Sequence, residues 1–125
     1  DRVEFLGYQE GEPLQKLYRT ADAFVLPTRE DCFGLVLLEA MCASLPIISS
    51  KYADGAFDLV EDGRNGYIID PENTDEFAET IKKVSAGDTA SAMGKRSYEK
   101  AHEFSFEQVS KGCIEALSYV LMQKK

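Results

Sequence analysis

Apolar residues along the chain alternate between short continuous runs and longer stretches with helical spacing. The runs predict strands at residues 3–8, 22–28, 46–50 and 67–70. The stretches predict helices at residues 12–21, 33–43, 55–62, 90–104 and 106–123, with another from residue 74 to a break near residue 87. Strands that alternate with helices form βαβ units. The pattern therefore predicts an α/β fold in which helices flank a parallel sheet.

Two of the predicted helices begin with a capping-box pattern. Asn73 stands three residues before Glu76, and Ser105 stands three residues before Gln108. In such a pair the first side chain accepts a hydrogen bond from a backbone N–H group of the first turn. We therefore expect Asn73 and Ser105 to be the N-cap residues of these two helices.

A single charge interrupts the most apolar part of the chain. Between residues 32 and 50, Glu39 is the only residue with a charged side chain. The helix predicted around it is apolar nearly all round, which is typical of a buried helix. A buried carboxylate without a partner is costly, so Glu39 must either be paired or face a cleft.

The loop before this helix is a candidate ligand site. In parallel sheets, ligands bind outside the carboxyl ends of the strands, at the following loop and helix start. Backbone N–H groups in the first turn of a helix have no intrahelical acceptor, and together with the helix dipole they suit a diphosphate. Here these are the groups of Phe33, Gly34, Leu35 and Val36.

Two carboxylates flank these amides. Asp31 stands eight residues before Glu39, about two helical turns away. A ribose diol is a natural partner for Glu39, because acidic residues bind ribose hydroxyl groups in other nucleotide sites. The structural alternative is that Glu39 pairs with a Lys or Arg and that Asp31 is only the helix N-cap. The residues alone favour neither interpretation.

Composition narrows the class of protein. With 125 residues the chain is expected to be a single domain with a real core. A net charge of −8 argues against nucleic acid or an anionic membrane as its direct partner. Three cysteines without C-x-x-C spacing and one histidine predict a reduced, cytoplasmic protein without a metal site.

Several stretches together resemble the C-terminal half of retaining GT-B glycosyltransferases, the group that includes glycogen synthases, sucrose synthases and bacterial polysaccharide glycosyltransferases. The stretches are "VEFLGYQEGEPLQKLYRTADAFVLPT", "CFGLVLLEAM", "LPIISS", "LVEDGRNGYIIDPENTDEFAETI" and "EFSFEQV". The residues around Glu39 are similar to the E-x7-E motif of this group, with Asp31 in the first acidic position. The resemblance implies a Rossmann-like domain.

The resemblance also implies roles for the candidate residues. Glu39 would bind the nucleotide ribose, and Asp31 would contact the donor sugar near the reacting centre. The amides of Phe33, Gly34 and Leu35 would cradle the donor sugar and diphosphate. The motif here is D-x7-E with Glu30 next to Asp31, so either acidic residue can be the one that faces the sugar.

On this resemblance, residues 1–125 are expected to be an incomplete C-terminal nucleotide-sugar-binding domain. The substrate would be a nucleoside-diphosphate sugar, with no cofactor and no metal. An N-terminal domain outside this chain would bind the saccharide or lipid-linked acceptor, in polysaccharide, lipopolysaccharide or glycoconjugate synthesis. The whole enzyme would be a hexosyltransferase of the cytoplasm or of the inner face of the membrane, and the 125 residues alone would be inactive.

Two other functions fit parts of the pattern. A GT-B-like sugar-nucleotide epimerase shares the α/β fold but lacks the combination of the Phe-Gly segment with E-x7-E. A non-catalytic flavodoxin-like binding module explains the alternation of strands and helices but leaves Glu39 without a role.

Overall fold

Three short parallel strands form the centre of the structure, a computed structural model that describes residues 2–123. The strands are β1 (Phe24–Leu26), β2 (Ile47–Ser50) and β3 (Gly66–Ile69). Their order in the sheet is β1-β2-β3, with Ile47 opposite Phe24 on one side and Gly66 on the other. The predicted α/β fold with a parallel sheet is confirmed.

Helices connect and flank these strands. They are α1 (Gly11–Thr20), α2 (Leu35–Cys42), α3 (Ala56–Leu59), α4 (Thr74–Val84), α5 (Thr89–Ala101) and α6 (Phe106–Gln123), with a short 3-10 turn at His102–Phe104 between the last two. The N-caps predicted for α4 and α6 are confirmed. The Asn73 side chain accepts a hydrogen bond from the Glu76 N–H at 3.2 Å, and the Ser105 hydroxyl accepts one from the Gln108 N–H at 3.3 Å.

The central strand separates two hydrophobic clusters. Every residue of β2 is buried, and its side chains alternate between the two faces of the sheet. Ile47 packs with residues of α2 and α3, whereas Ile48 packs with Val84 of α4 and Met93 of α5. This two-sided burial explains why the consecutive residues Ile47 and Ile48 are both apolar although their side chains point to opposite faces of the sheet.

The prediction of a strand at residues 3–8 is wrong. This segment has no regular secondary structure, and its large apolar side chains are exposed, with Phe5 at 95%. A strand needs a neighbour for its backbone N–H and C=O groups. The sheet formed by the described residues has three strands, and this segment forms no strand pairing with any of them.

Helix α5 packs closely against the end of α2. Gly94 is buried in α5, and a Cβ atom at this position would lie 2.0 Å from the carbonyl oxygen of Ser44. A glycine in a helix interior is ordinarily unfavourable by about 0.5–1 kcal/mol relative to alanine. Here it permits the contact that brings α5 onto the turn leading into β2.

Candidate functional site

The loop after β1, residues 27–34, lies at the carboxyl end of the sheet and is fixed by its backbone. The Asp31 N–H donates to the Tyr52 carbonyl oxygen, and the Asp54 N–H donates to the Asp31 carbonyl oxygen, both at 3.1 Å. The residues after β2 therefore hold Asp31 in place. The candidate ligand loop is thus attached to the sheet rather than only tethered by its ends.

The side chain of Asp31 organises the approach to α2. Its Oδ1 atom accepts a hydrogen bond from the Phe33 N–H at 3.0 Å, so the Phe33 amide, predicted to be free, is bonded within the loop. The helix begins at Leu35, two residues later than predicted, and its N-cap is Gly34. The alternative in which Asp31 is the N-cap of α2 is therefore wrong.

Three backbone N–H groups at the start of α2 remain unpaired, one of them on the buried residue Gly34. Among residues 2–123, no acceptor contacts the amides of Gly34, Leu35 and Val36. Gly34 has φ +73°, a conformation that glycine adopts far more readily than other residues, and a Cβ atom there would lie 3.2 Å from Leu37 Cδ1. The unpaired amides and the helix dipole make this helix start suitable for an anion.

Glu39 lies on the open side of α2. The buried face of the helix consists of Leu37, Ala40 and Met41, whereas Glu39 is exposed and Leu35 is 64% exposed. The prediction of a helix buried all round is therefore wrong. One face of α2 packs on the sheet, and the opposite face borders a groove, so the carboxylate keeps its contact with water.

The groove beside Glu39 lies between α1 and α2. It has a volume of about 710 Å³, and its lining includes Leu14, Gln15, Tyr18 and Arg19 of α1. The Tyr18 hydroxyl donates a hydrogen bond to Glu39 Oε2 at 3.1 Å. Burial, together with the hydrogen bond and negative charge of Glu39, raises the pKa of Tyr18 from 10.0 to about 12. In residues 2–123 Glu39 forms no ion pair with Lys or Arg, so the structural alternative for Glu39 finds no support.

The second acidic candidate, Glu30, and two basic residues, Arg29 and Lys51, lie at the same edge of the sheet. Glu30 is exposed in the loop before Asp31. Lys51, directly after β2, lies 2.6 Å from Asp70, directly after β3. Their hydrogen bond raises the pKa of Lys51 and lowers that of Asp70. Arg29 approaches Glu72 at 3.9 Å, so both basic groups already have acidic partners.

Gly55 also shapes the site, which its position in the sequence does not indicate. This residue precedes α3, and a Cβ atom there would lie 2.0 Å from the carbonyl oxygen of Phe33. Only a glycine lets the loop after β2 approach the loop after β1 this closely. The signal in the sequence was the Asp-Gly pair at residues 54–55, which predicts a turn but not its neighbour.

Within residues 2–123 there is neither a candidate metal cluster nor a candidate membrane span. The described part of the chain contains no group of three or more His, Cys, Asp or Glu side chains that could hold a metal ion. None of the helices within residues 2–123 is long and apolar enough to cross a membrane.

Comparison with known proteins identifies the family. Residues 1–100 match the family described as glycosyl transferases group 1. The chain belongs to this family. Among curated members, the D-inositol 3-phosphate glycosyltransferase of Mycolicibacterium smegmatis is 35% identical over 106 residues, which are 85% of this chain and 24% of that protein. The uncharacterized glycosyltransferase MJ1607 of Methanocaldococcus jannaschii is 37% identical over 83 residues, 66% of this chain and 21% of that protein.

A solved structure extends the similarity to the fold of this glycosyl transferase group 1 chain. Anabaena Alr3699/HepE in complex with UDP superposes with a TM-score of 0.80 at 29% identity, over 94% of this chain and 32% of that one. The same protein has been solved with UDP-glucose. The parallel sheet and its helices thus match the C-terminal domain of GT-B glycosyltransferases. The chain spans about a fifth to a quarter of the length of the two curated relatives.

Proposed function

We propose that this chain is the donor-binding part of a retaining hexosyltransferase, which binds a nucleoside-diphosphate sugar for transfer to a saccharide or lipid-linked acceptor. The observation that supports this most is the arrangement at the start of α2. Three unpaired backbone amides lie between the carboxylates of Asp31 and Glu39, at the carboxyl end of a parallel sheet. Amides suit the diphosphate, and carboxylates suit the hydroxyl groups on either side of it.

The family supports the class of ligand. The matching Anabaena protein was solved with UDP and with UDP-glucose, at 29% and 27% identity to this chain. The M. smegmatis relative is a glycosyltransferase by name. A nucleotide sugar is therefore the substrate class that agrees with both the site and its relatives.

In this proposal the two carboxylates have different tasks. Glu39 accepts hydrogen bonds from the ribose hydroxyl groups. Asp31 contacts the donor sugar, with Glu30 as the competing candidate. Asp31 uses Oδ1 to hold the Phe33 N–H, and its second oxygen accepts no other hydrogen bond in the described part of the chain. One oxygen thus shapes the loop while the other is available to a sugar hydroxyl.

The amides of Gly34, Leu35 and Val36 would stabilise the diphosphate as it leaves. Negative charge accumulates on the leaving diphosphate in the transition state, and oriented N–H groups at a helix start stabilise such charge without a metal. The proposed domain comprises residues 1–125 and requires a further domain for the acceptor, because transfer depends on holding both reactants in register. The retaining outcome and the hexosyl specificity rest on the resemblance of the motif alone.

The test of the ribose contact is the Glu39→Gln variant of the full-length gene product. Calorimetric titration with UDP, GDP and ADP first identifies the nucleotide that binds most tightly. We expect Glu39→Gln to weaken that binding by about 1.5–3 kcal/mol, which is typical for a hydrogen bond to a charged group. Glu99→Gln is the matched control, because Glu99 is also an exposed helical glutamate but lies on α5. Equal affinities for wild type and Glu39→Gln would contradict the proposal.

The donor-sugar contact is tested by the Asp31→Asn and Glu30→Gln variants. The asparagine oxygen can still accept from the Phe33 N–H, so the loop keeps its shape. We expect Asp31→Asn to spare the affinity for free nucleoside diphosphate and to lower turnover of the sugar nucleotide. If only Glu30→Gln lowers turnover, the donor-sugar role belongs to Glu30. If neither variant does, the assignment of the first acidic position is wrong.

A further inference from the structure

The groove between α1 and α2 contains a contact that connects the two helices through polar atoms. Tyr18, on α1, donates its hydroxyl hydrogen to Oε2 of Glu39, on α2, at 3.1 Å. In residues 2–123 this is the one side-chain hydrogen bond that Glu39 receives. Oε1 of Glu39 accepts no hydrogen bond from the described residues, and Glu39 lines the groove.

Tyr18 is held more firmly than the carboxylate that it contacts. Its ring packs against the larger hydrophobic cluster, and its centroid lies 5.8 Å from that of Phe24 in β1. A tyrosine ring has two side-chain torsions, and this packing restricts both. Glu39 is exposed and has three torsions, which cost free energy to order on binding. The anchored ring therefore supplies a fixed donor for a side chain that would otherwise be mobile.

The hydroxyl remains a donor under all ordinary conditions. Burial and the neighbouring carboxylate raise the pKa of Tyr18 to about 12, so the phenol is protonated at neutral pH. Because the protonated phenol donates to Oε2, Oε1 is left to accept a hydrogen bond from another donor.

We propose that Tyr18 is a positioning residue for nucleotide binding: it holds one oxygen of Glu39 so that the other meets the ribose hydroxyl groups of the donor. This inference rests on the proposed ribose contact of Glu39. Tyr18 itself touches neither the diphosphate nor the reacting centre. Its effect is to reduce the ordering that Glu39 must undergo when the nucleotide binds, as preorganised contacts do.

The Tyr18→Phe variant of the full-length gene product tests the inference. Phenylalanine keeps the ring that packs on Phe24 and removes only the hydroxyl group. We expect the dissociation constant of the best-binding nucleoside diphosphate to rise about three- to tenfold, the range of one net hydrogen bond. The affinity for inorganic diphosphate should stay the same, because that ligand has no ribose. With the sugar nucleotide, KM should rise while kcat is kept, the pattern of lost uniform binding.

The matched control is Tyr67→Phe, which makes the same chemical change on another half-buried tyrosine. Tyr67 lies on β3 and packs in the smaller hydrophobic cluster, and its hydroxyl forms no hydrogen bond within residues 2–123. Tyr67→Phe should leave the dissociation constants of the nucleoside diphosphate and of inorganic diphosphate unchanged. If Tyr18 were merely structural, Tyr18→Phe would lower the melting temperature and weaken nucleoside diphosphate and inorganic diphosphate alike. That result would overturn the inference.

The Glu39→Gln background separates this inference from the proposed function. We expect Tyr18→Phe to have a smaller effect on nucleotide affinity when Glu39 is already glutamine, because the two residues act through one contact. If Glu39→Gln weakens nucleotide binding and Tyr18→Phe does not, the positioning role alone is wrong. If Glu39→Gln has no effect, the ribose contact fails and the role of Tyr18 fails with it.

Discussion

Helices α2 and α6 are both rich in apolar residues, yet they end in opposite environments. In α2 the apolar residues Leu37 and Met41 are fully buried, and the one carboxylate faces the groove. In α6 apolar residues recur at helical spacing, but none of its described residues 106–123 is buried, and Leu117 is 65% exposed. The same kind of pattern thus gives a core helix in one region and an uncovered apolar stripe in the other.

The difference lies in what stands beside each helix. Helix α2 connects two adjacent parallel strands, so the crossover itself places it on the sheet. Helix α6 follows β3, α4, α5 and the short 3-10 turn, and within residues 2–123 it does not connect two strands of the sheet. Hydrophobic periodicity therefore predicts that a helix forms, whereas connectivity determines whether the sheet covers it.

The largest contrast is expected from removing one leucine side chain in each helix. Leu37→Ala should lower the free energy of unfolding by about 2–5 kcal/mol, because it opens a cavity in the core. Leu117→Ala should change it by less than about 0.5 kcal/mol, as is usual for surface positions. Urea denaturation of both variants measures the two values. A cost for Leu117→Ala equal to that of Leu37→Ala would show that α6 is covered in solution.

A matched pair of helical glycines sharpens the comparison. In α5, Gly94→Ala places a methyl group against the Ser44 carbonyl oxygen and should destabilise the protein by about 1–3 kcal/mol. In α6, Gly112→Ala meets nothing within 4 Å and should stabilise by about 0.5–1 kcal/mol through helix propensity. The melting temperature should therefore fall for Gly94→Ala and rise for Gly112→Ala. A shift in the same direction for both variants would contradict the close packing at Gly94.

The stability of the protein at alkaline pH tests the raised pKa of Tyr18, the residue that donates to Glu39 on α2. The pKa of Tyr18 is about 12 in the folded protein and about 10 in an unfolded chain. A group whose pKa is raised on folding stabilises the native state fully below its unfolded pKa, and this contribution is lost as pH rises through the folded pKa. Wild type should therefore lose more stability between about pH 10 and 12 than Tyr18→Phe does. Identical pH profiles from urea denaturation would show that Tyr18 titrates normally.

The smallest effects on stability are expected from neutralising one glutamate on each helix. Glu39→Gln should change the free energy of unfolding by less than about 1 kcal/mol without ligand, because Glu39 is exposed and glutamine still accepts from Tyr18. Glu115→Gln, whose exposed pair with Lys111 spans 3.9 Å on α6, should be similarly mild. Melting curves compare the two. A melting temperature many degrees lower for Glu39→Gln alone would assign that residue to folding.

Most of the fold could be predicted from the sequence because its signals are local. The strands at β1, β2 and β3 follow from continuous apolar runs, and the caps at Asn73 and Ser105 follow from residue types at fixed spacing. The segment at residues 3–8 is also rich in apolar residues but pairs with no strand of the sheet. The strand predicted there was wrong, because the composition of a segment does not determine whether a neighbouring strand is present to pair with it.

The candidate site was predictable in position but not in its contacts. The sequence predicts a helix start between Asp31 and Glu39, and in the structure α2 begins at Leu35, between these two residues. The exposure of Glu39, its contact with Tyr18 and the approach of Gly55 to Phe33 involve residues distant in sequence. Such contacts depend on how α1 and the loop after β2 pack, which periodicity does not encode.

The all-parallel pairing of the sheet has a consequence for how the chain folds. Neighbouring parallel strands cannot be joined by a tight turn, so β2 reaches each of its partners only after a complete crossover has closed. The chain therefore loses the conformational entropy of the closed crossover before the first hydrogen bond between two strands forms. We expect locally capped helices such as α4 to acquire structure early and the register of Ile47 with Phe24 and Gly66 to form late, so that folding is slow relative to a helical bundle of the same size.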